Sequence, residues 1–169
     1  MLISETYRQI NRRLHADRPD YGTHGHLWAE SIKDLALSMK TTDVLDYGCG
    51  KQSLKKVMPF VIGYDPCITG LDDRPAPAEL VVCTDVLEHI EPECIDDVMD
   101  DLVRVTGSAL FALISFGSAK KKLSDGRNAH LIQQGLDWWL PKFWTRFDIQ
   151  MVHNLGGSIL VVSNACRTS

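Results

Sequence analysis

Residues 44–52 read Val44-Leu45-Asp46-Tyr47-Gly48-Cys49-Gly50-Lys51-Gln52. An apolar pair runs into a carboxylate and then into two glycines one residue apart. A buried strand that ends in Gly-x-Gly turns tightly and lets the backbone approach a ligand closely. In an open α/β sheet that ligand lies beyond the carboxyl ends of the strands. The spacing alone is a weak signal, because purely structural turns use it too. Its neighbours strengthen it. Residues 43–46, 59–65, 80–84 and 109–116 read as short buried strands, and amphipathic stretches lie between or before them.

The helical stretches are expected over 4–15, 25–40, 92–105 and 137–146. The second carries Trp28, Ile32, Leu35, Ala36 and Met39 on one face. The third has Pro92 at its start and Gly107 past its end. It also carries Asp96, Asp97, Asp100 and Asp101 away from its apolar stripe, as a solvated face. Residues 147–153 and 158–164 flank Gly156-Gly157 as an antiparallel hairpin. The expectation is an α/β fold of six strands, mostly parallel, with helices on both faces and a C-terminal antiparallel hairpin.

Composition bounds the function. The chain has 169 residues, 18 Lys+Arg against 22 Asp+Glu, and a formal net charge of −4. That length suits one domain of roughly 100–200 residues, spanning 1–169, with the helices of 1–40 covering the ligand cleft. The acidic balance argues against stable nucleic-acid binding. No apolar run approaches the roughly 20 residues needed to span a bilayer, and the N-terminus lacks a signal-peptide core. Cysteines 49, 67, 83, 94 and 166 form no CxxC pair, and their odd number suits a reducing, cytoplasmic setting.

Three nucleotide readings of the glycine turn compete. A P-loop requires glycine at position 45 and Ser or Thr at 52, but these are Leu45 and Gln52. A dinucleotide turn passes on spacing, since Ser53 is small, yet Asp46 stands where a pyrophosphate would sit and repels it. A carboxylate there favours a ligand bearing an ammonium or sulfonium group. Asp65 ends the next strand 19 positions on, about where an open α/β fold places an acid for ribose hydroxyls. The competing reading of Asp65 is a helix cap before Pro66.

These residues resemble the class I S-adenosylmethionine-dependent methyltransferases, including compact bacterial and phage-borne members. That family has a Rossmann-like sheet, an Asp-x-Gly-x-Gly-x-Gly turn, and an acid at the end of its second strand. The block Glu79-Leu80-Val81-Val82-Cys83-Thr84-Asp85-Val86-Leu87-Glu88-His89-Ile90 is similar to the family's fourth-strand block. The resemblance covers residues 44–107 well and the rest by topology. It implies S-adenosylmethionine as cofactor. Asp46, Gly48, Cys49 and Gly50 would cradle its methionine moiety, and Asp65 with Pro66 would hold the ribose. Asp85 and Val86 would lie near the sulfonium, and Tyr21 would reach the cofactor carboxylate. Two departures stand out. Gln52 replaces the third glycine, and only residues 66–79 separate Asp65 from Leu80. The family's third strand is therefore expected to be shortened or missing. Cys67 or Ile68 would pack on the adenine, and Asp72 or Asp73 would replace the acid that reads its amine.

The acceptor side is expected in the loop 117–130 after the 109–116 strand, with Asp125, Arg127 and Asn128 binding the acceptor together with His89. His130 is the candidate general base, against the alternative of a capping or core histidine. Asp125 and Arg127 have the plainer option of pairing with each other, and Lys120–Lys122 that of a solvated edge. A metal site from Asp85, Glu88 and His89 is disfavoured, because no cysteine or second histidine lies at ligand spacing. Trp138, Trp139 and Trp144 read as core rather than as stacking platforms, and Cys49 as a small residue without a partner base. No Asn-Pro-Pro-Tyr or Asp-Pro-Pro-Tyr block is present, which disfavours methylation of DNA bases. The expected function is methyl transfer to a small acceptor: a metabolite, nucleotide or sugar. The alternatives are a cofactor-binding scaffold without transfer activity, and cleavage or aminopropyl transfer from the same cofactor.

Overall fold

Leu80, Val81, Val82 and Cys83 are all fully buried, and a run without polar alternation fits only a strand covered on both faces. This strand, β3 (Ala78–Thr84), lies inside a sheet whose other members are β1 (Val44–Tyr47), β2 (Ile62–Tyr64), β4 (Thr106–Ser115), β5 (Phe147–Asn154) and β6 (Ser158–Ala165). The computed structural model describes residues 1–166. The strand order is β2-β1-β3-β4-β6-β5. The first four of these strands run parallel, and β6 runs antiparallel to both β4 and β5, forming the C-terminal hairpin. Among the described residues none between Tyr64 and Ala78 forms a strand. The strand expected to be shortened is missing, so β2 is an edge.

The remaining elements are α1 (Glu5–Asp17), α2 (Ala29–Met39), α3 (Ser53–Val57), α4 (Ile95–Val105) and α5 (Leu136–Trp144), with short 3-10 turns at Gly25–Trp28 and Leu87–His89. Alternate strand residues feed two cores. Leu45, Val81, Leu110 and Ala112 pack under α4 and α5 with Met99, Leu102 and Trp139. Val44, Leu80, Val82 and Phe111 pack beneath α2 and α3 with Ile32, Ala36 and Leu54. Among the described residues no helix is long and apolar enough to cross a membrane.

α1 belongs to neither face. It lies across the carboxyl ends of the strands and is tied to the loops there. Ser4 caps it by accepting from Tyr7 N at 3.2 Å, and its hydroxyl donates to Glu91 at 2.6 Å. The Tyr7 hydroxyl donates to His89 O at 2.7 Å, and Arg8 to Pro66 O at 3.2 Å.

Several boundaries differ from the sequence reading. The stretch expected as one helix over 25–40 is a 3-10 turn followed by α2. The helix expected from Pro92 begins at Ile95, because a turn closed by Cys94 N donating to Glu91 O at 2.8 Å precedes it. α3 was not expected, since five residues are too few to show a helical period.

Asp101 is a clear correction. Its side chain is 1% exposed and anchors a network instead of facing water. It accepts from Arg74 and Arg104 at 2.7 Å each and from the Tyr47 hydroxyl at 3.0 Å. Asp96 and Asp100 keep to the outer face, where Lys142 and Arg146 meet them. Burial pushes the Asp101 carboxyl up, but its three donors outweigh burial and hold it below the ordinary aspartate value of 3.8. Its stabilising contribution is therefore full above that value and is lost as pH falls through the lower folded one. Asp101→Ala leaves the Tyr47 hydroxyl without its partner and is expected to cost about 1–3 kcal/mol in urea unfolding. An unchanged midpoint contradicts the anchoring role.

Candidate active site

The turn after β1 is built from positive-φ backbone. Gly48 and Gly50 sit at φ 81° and 49°, and neither has room for a side chain. A Cβ on Gly48 would lie 2.4 Å from a Val86 methyl, and one on Gly50 would lie 2.6 Å from Gly22 O. Gln52, which replaces the expected glycine, holds the same left-handed conformation at φ 54°. The turn keeps its path despite the Cβ, at the modest cost that such a conformation carries.

The direction of its N–H groups is more telling. Gly48 N and Cys49 N both donate to Tyr64 O, at 2.8 and 2.9 Å. Gly50 N donates to the Asp65 carboxylate at 3.1 Å. Lys51 N donates to Gly22 O at 2.8 Å, and Gln52 N to Cys49 O at 2.9 Å. No amide of this turn is left to receive a phosphate oxygen, which is what a pyrophosphate turn supplies.

The turn opens onto a cavity of about 690 Å³, a size typical of small-molecule sites. Asp20, Asp46, Asp65 and Asp85 line it, against Lys120 and Lys121. Lys121 is already paired with Asp20 at 2.8 Å. Burial, with Asp65 adding to it, pushes the Asp46 carboxyl up to about 7. Burial also raises Asp65, although the His15 ring and the Cys67 and Gly50 amides oppose it. Asp85 is raised by burial against the pull of His24, and sits at φ 54°. Asp46 therefore lines the cavity without a Lys or Arg partner, and Asp65 and Asp85 have only the rings of His15 and His24 beside them, at 4.0 and 3.9 Å.

Tyr21, Cys49, Pro66, Val86, His89 and His130 line the same cavity. The Cys49 thiol is pushed up by burial and by Asp46 and Asp65. It packs against the edge of β2, where a Cβ on Gly63 would lie 2.8 Å from its sulfur. The Tyr21 hydroxyl lies 3.5 Å from His89 Nδ1. His89 Nδ1 also lies 2.7 Å from Ala129 O, and His130 Nδ1 lies 2.6 Å from Gly117 O. With a carbonyl as partner, each Nδ1 is the donor and each Nε2 keeps its lone pair. The two rings meet edge to face at 4.7 Å. The second histidine that local spacing lacked thus arrives beside His89 from the loop after β4. Burial first, then His130, lowers His89 to about 4.

Three residues expected on the acceptor side stand outside the cavity. Arg127 and Asp125 pair with each other at 2.8 Å, and the guanidinium lies 5.6 Å from the Tyr7 ring. Asn128 accepts from Ala119 N and donates to Ala119 O, both at 2.9 Å. It also accepts from His130 N at 2.9 Å. These side chains close the loop on itself and against α1, and so aim His130. Of the two residues expected to pack on adenine, Cys67 reaches the cavity and Ile68 lines only a smaller groove beside it. Asp72 is committed to Gly70 N at 3.0 Å and to Arg12 at 3.6 Å, and Asp73 does not line the cavity. Trp139 is fully buried core, whereas Trp144 is exposed.

The sequence reading places Tyr7 with Ile10 and Leu14 on one side of the first helix and does not single out Asn11 or His15; α1 contributes Tyr7, Asn11 and His15 to the cavity wall. Their spacing of four puts them on one helical face, and a stripe of uncharged polar side chains on an otherwise charged helix was the available signal. Burial outweighs Asp65 and lowers His15, and its Nδ1 is buried and unpartnered. Glu88, which lies behind the cavity wall, is fully buried. Burial and then Asp85 push its carboxyl up to about 8. One oxygen accepts from Ser115 N at 3.0 Å and the other has no partner.

No family model and no curated protein matches the sequence. Solved structures do match. The N-methyltransferase NodS of Bradyrhizobium japonicum, in complex with S-adenosylhomocysteine, superposes with a TM-score of 0.65 at 15% identity, over 97% of this chain and 100% of that one. The 1,6-didemethyltoxoflavin-N1-methyltransferase of Burkholderia thailandensis gives 0.68 at 11%, over 98% and 91%. An rRNA methylase of Escherichia coli gives 0.57 at 15%, over 91% and 70%. At such identities the likeness is one of architecture, and in its architecture this chain has the fold of the class I S-adenosylmethionine-dependent methyltransferases.

Proposed function

We propose that the protein is an S-adenosylmethionine-dependent methyltransferase acting on a small acceptor, a metabolite, nucleotide or sugar, in the cytoplasm. The observation that carries this reading is the turn after β1. Its amides are all committed within the protein, and its carboxyl groups face a cavity of about 690 Å³. That environment opposes a phosphorylated ligand and suits a nucleoside bearing positive charge. The fold supports it, because relatives of the same architecture are methyltransferases crystallised with S-adenosylhomocysteine.

In this reading the Gly48–Gly50 turn and Asp46 hold the methionine end of the cofactor, and Asp65 with Pro66 the ribose. Tyr21 faces the cofactor carboxylate, and Asp85 with Val86 lie beside the sulfonium. The cofactor supplies an activated methyl group whose C–S bond breaks as the acceptor's bond to carbon forms. The chain's own contribution is largely positioning and exclusion of water. α1 roofs the site through Tyr7, Asn11 and His15. An acceptor approaching past Ser115, His89 and His130 meets the Nε2 lone pair of His130, which is placed to take its proton.

A cofactor-binding scaffold is the second reading. The specific observation in its favour is that neither Asp72 nor Asp73 reaches the cavity to read adenine. Incubation with methyl-labelled cofactor over a broad acceptor panel separates the two. Labelled product supports the enzyme, and tight cofactor binding without product supports the scaffold.

Asp46 sets a pH dependence. Its folded value of about 7 lies above the ordinary aspartate value of 3.8, so this group's contribution to the stability of the free protein is full below the unfolded value and is lost as pH rises through about 7. A cationic ligand reverses this by answering the charge. Because the methionine-end ammonium would answer that charge, the affinity for S-adenosylhomocysteine is expected to rise up to about tenfold between about pH 6 and about pH 8. A flat affinity contradicts the role of Asp46. Two substitutions separate binding from turnover. Asp65→Asn is expected to weaken S-adenosylhomocysteine binding by about 1–3 kcal/mol, and unchanged affinity would show that Asp65 only shapes the turn. His130→Ala is expected to lower turnover on any accepted substrate on the order of a hundredfold, with cofactor affinity unchanged. Equal losses in both quantities point instead to misfolding.

A further inference from the structure

We infer that Glu88, His89 and His130 form a divalent-cation site at the acceptor end of the cavity, suited to manganese, iron or zinc. One ligand-capable atom from each of the three lies within 4.8 Å of the others. An ion at their centre is within about 2.8 Å of each, so reaching bonds of about 2.0–2.2 Å takes less than an ångström of movement per ligand.

Three features make this more than proximity. The first is the histidine tautomer. Each imidazole commits Nδ1 to a backbone carbonyl, Ala129 O for His89 and Gly117 O for His130. This outer hydrogen bond fixes the ring and presents Nε2 as a neutral donor, as it does for most metal-bound histidines. The second is Glu88. The residue is fully buried, and one carboxyl oxygen is anchored by Ser115 N at 3.0 Å while the other is buried with no partner at all. A buried carboxyl oxygen without a partner carries a desolvation penalty, and a cation that takes the place of the carboxyl proton is a group that satisfies it beside two imidazoles. The third is the backbone. The 3-10 turn Leu87–His89 puts Glu88 and His89 side by side, and Glu88 O accepts from Ile132 N at 3.0 Å, holding the segment that carries His130 against them.

Two nitrogens and one carboxylate favour a first-row transition ion over magnesium or calcium, which prefer oxygen donors. His89 and His130 line the cavity while Glu88 stands behind them. The remaining coordination positions therefore face the acceptor, and the chemical class they select is an oxygen donor, a hydroxyl or hydroxyl pair. Resting on the methyl-transfer reading, the ion gives that hydroxyl a lower pKa. Its proton leaves to water, the oxygen lone pair forms the new O–C bond, and the C–S pair stays on sulfur. His130 then serves as a ligand rather than as the base.

The test is calorimetric titration of the full chain, cofactor-free and saturated with S-adenosylhomocysteine, with Mn²⁺ and separately with Zn²⁺. One ion per chain is expected to bind. Affinity should fall on the order of tenfold or more in Glu88→Gln and in His130→Ala, while S-adenosylhomocysteine affinity stays within about twofold. Glu88→Gln preserves volume and can still accept from Ser115 N, and His130 is only half-buried, so neither substitution opens the core. Retained S-adenosylhomocysteine binding in the variants confirms that they fold. Saturable binding lost in these variants supports the site. Absence of saturable binding of either ion, or binding equal in wild type and both variants, overturns it. If S-adenosylhomocysteine fails to bind wild type, the methyl-transfer reading falls while the cation result stands on its own.

Discussion

Five consecutive backbone N–H groups, Gly48 to Gln52, are all donated inside the protein, and the site depends on where they go. They bind the end of β1 to the end of β2 through Tyr64 O and Asp65, and to the segment before α2 through Gly22 O. This interlock demands glycine at 48 and 50, where any side chain would strike Val86 or Gly22. The polar groups that line the cavity at this turn are thereby carboxyls in place of free amides. A turn with the same glycine spacing but free amides would be an anion site. This one has the opposite polarity.

That polarity is not free of cost. Asp46, Asp65 and Glu88 are all buried, and burial raises each of their pKa values. Asp85 and Gln52 hold left-handed backbone without being glycine. Features of this kind gather at functional sites, because they persist only where the surrounding structure over-determines them. α1 contributes to that over-determination. It is roped to Glu91, His89, Pro66 and Cys67, so the roof of the cavity and the loops beneath it are positioned by the same hydrogen bonds.

The parts legible in the sequence were those encoded locally. The β1 turn, the acids closing β1 and β2, the short span that omits a strand, and the C-terminal hairpin each occupy a few contiguous residues with a distinctive pattern. What stayed hidden depends on distance along the chain. Asp101 looked like one of four solvated acids because its partners, Arg74 and Tyr47, lie 27 and 54 residues away. His89 and His130 became neighbours only because the loop after β4 folds back over the sheet. Asp125, Arg127 and Asn128 drew attention as a dense polar set, yet such density equally marks a loop that satisfies itself, and that is what they do. The four-residue spacing of Tyr7, Asn11 and His15 is plain in the sequence, but it points to a cavity only once the strands supply one beneath it.

The central claim is that the turn accepts a sulfur-linked nucleoside and rejects a phosphorylated one. Competition for the same cavity tests it most directly, with S-adenosylhomocysteine titrated into the full-length protein alone and then in the presence of excess ADP-ribose or NAD. The account predicts saturable binding of S-adenosylhomocysteine that neither phosphorylated nucleotide displaces. Displacement by either one, or tight binding of a nucleotide with none of S-adenosylhomocysteine, would contradict it.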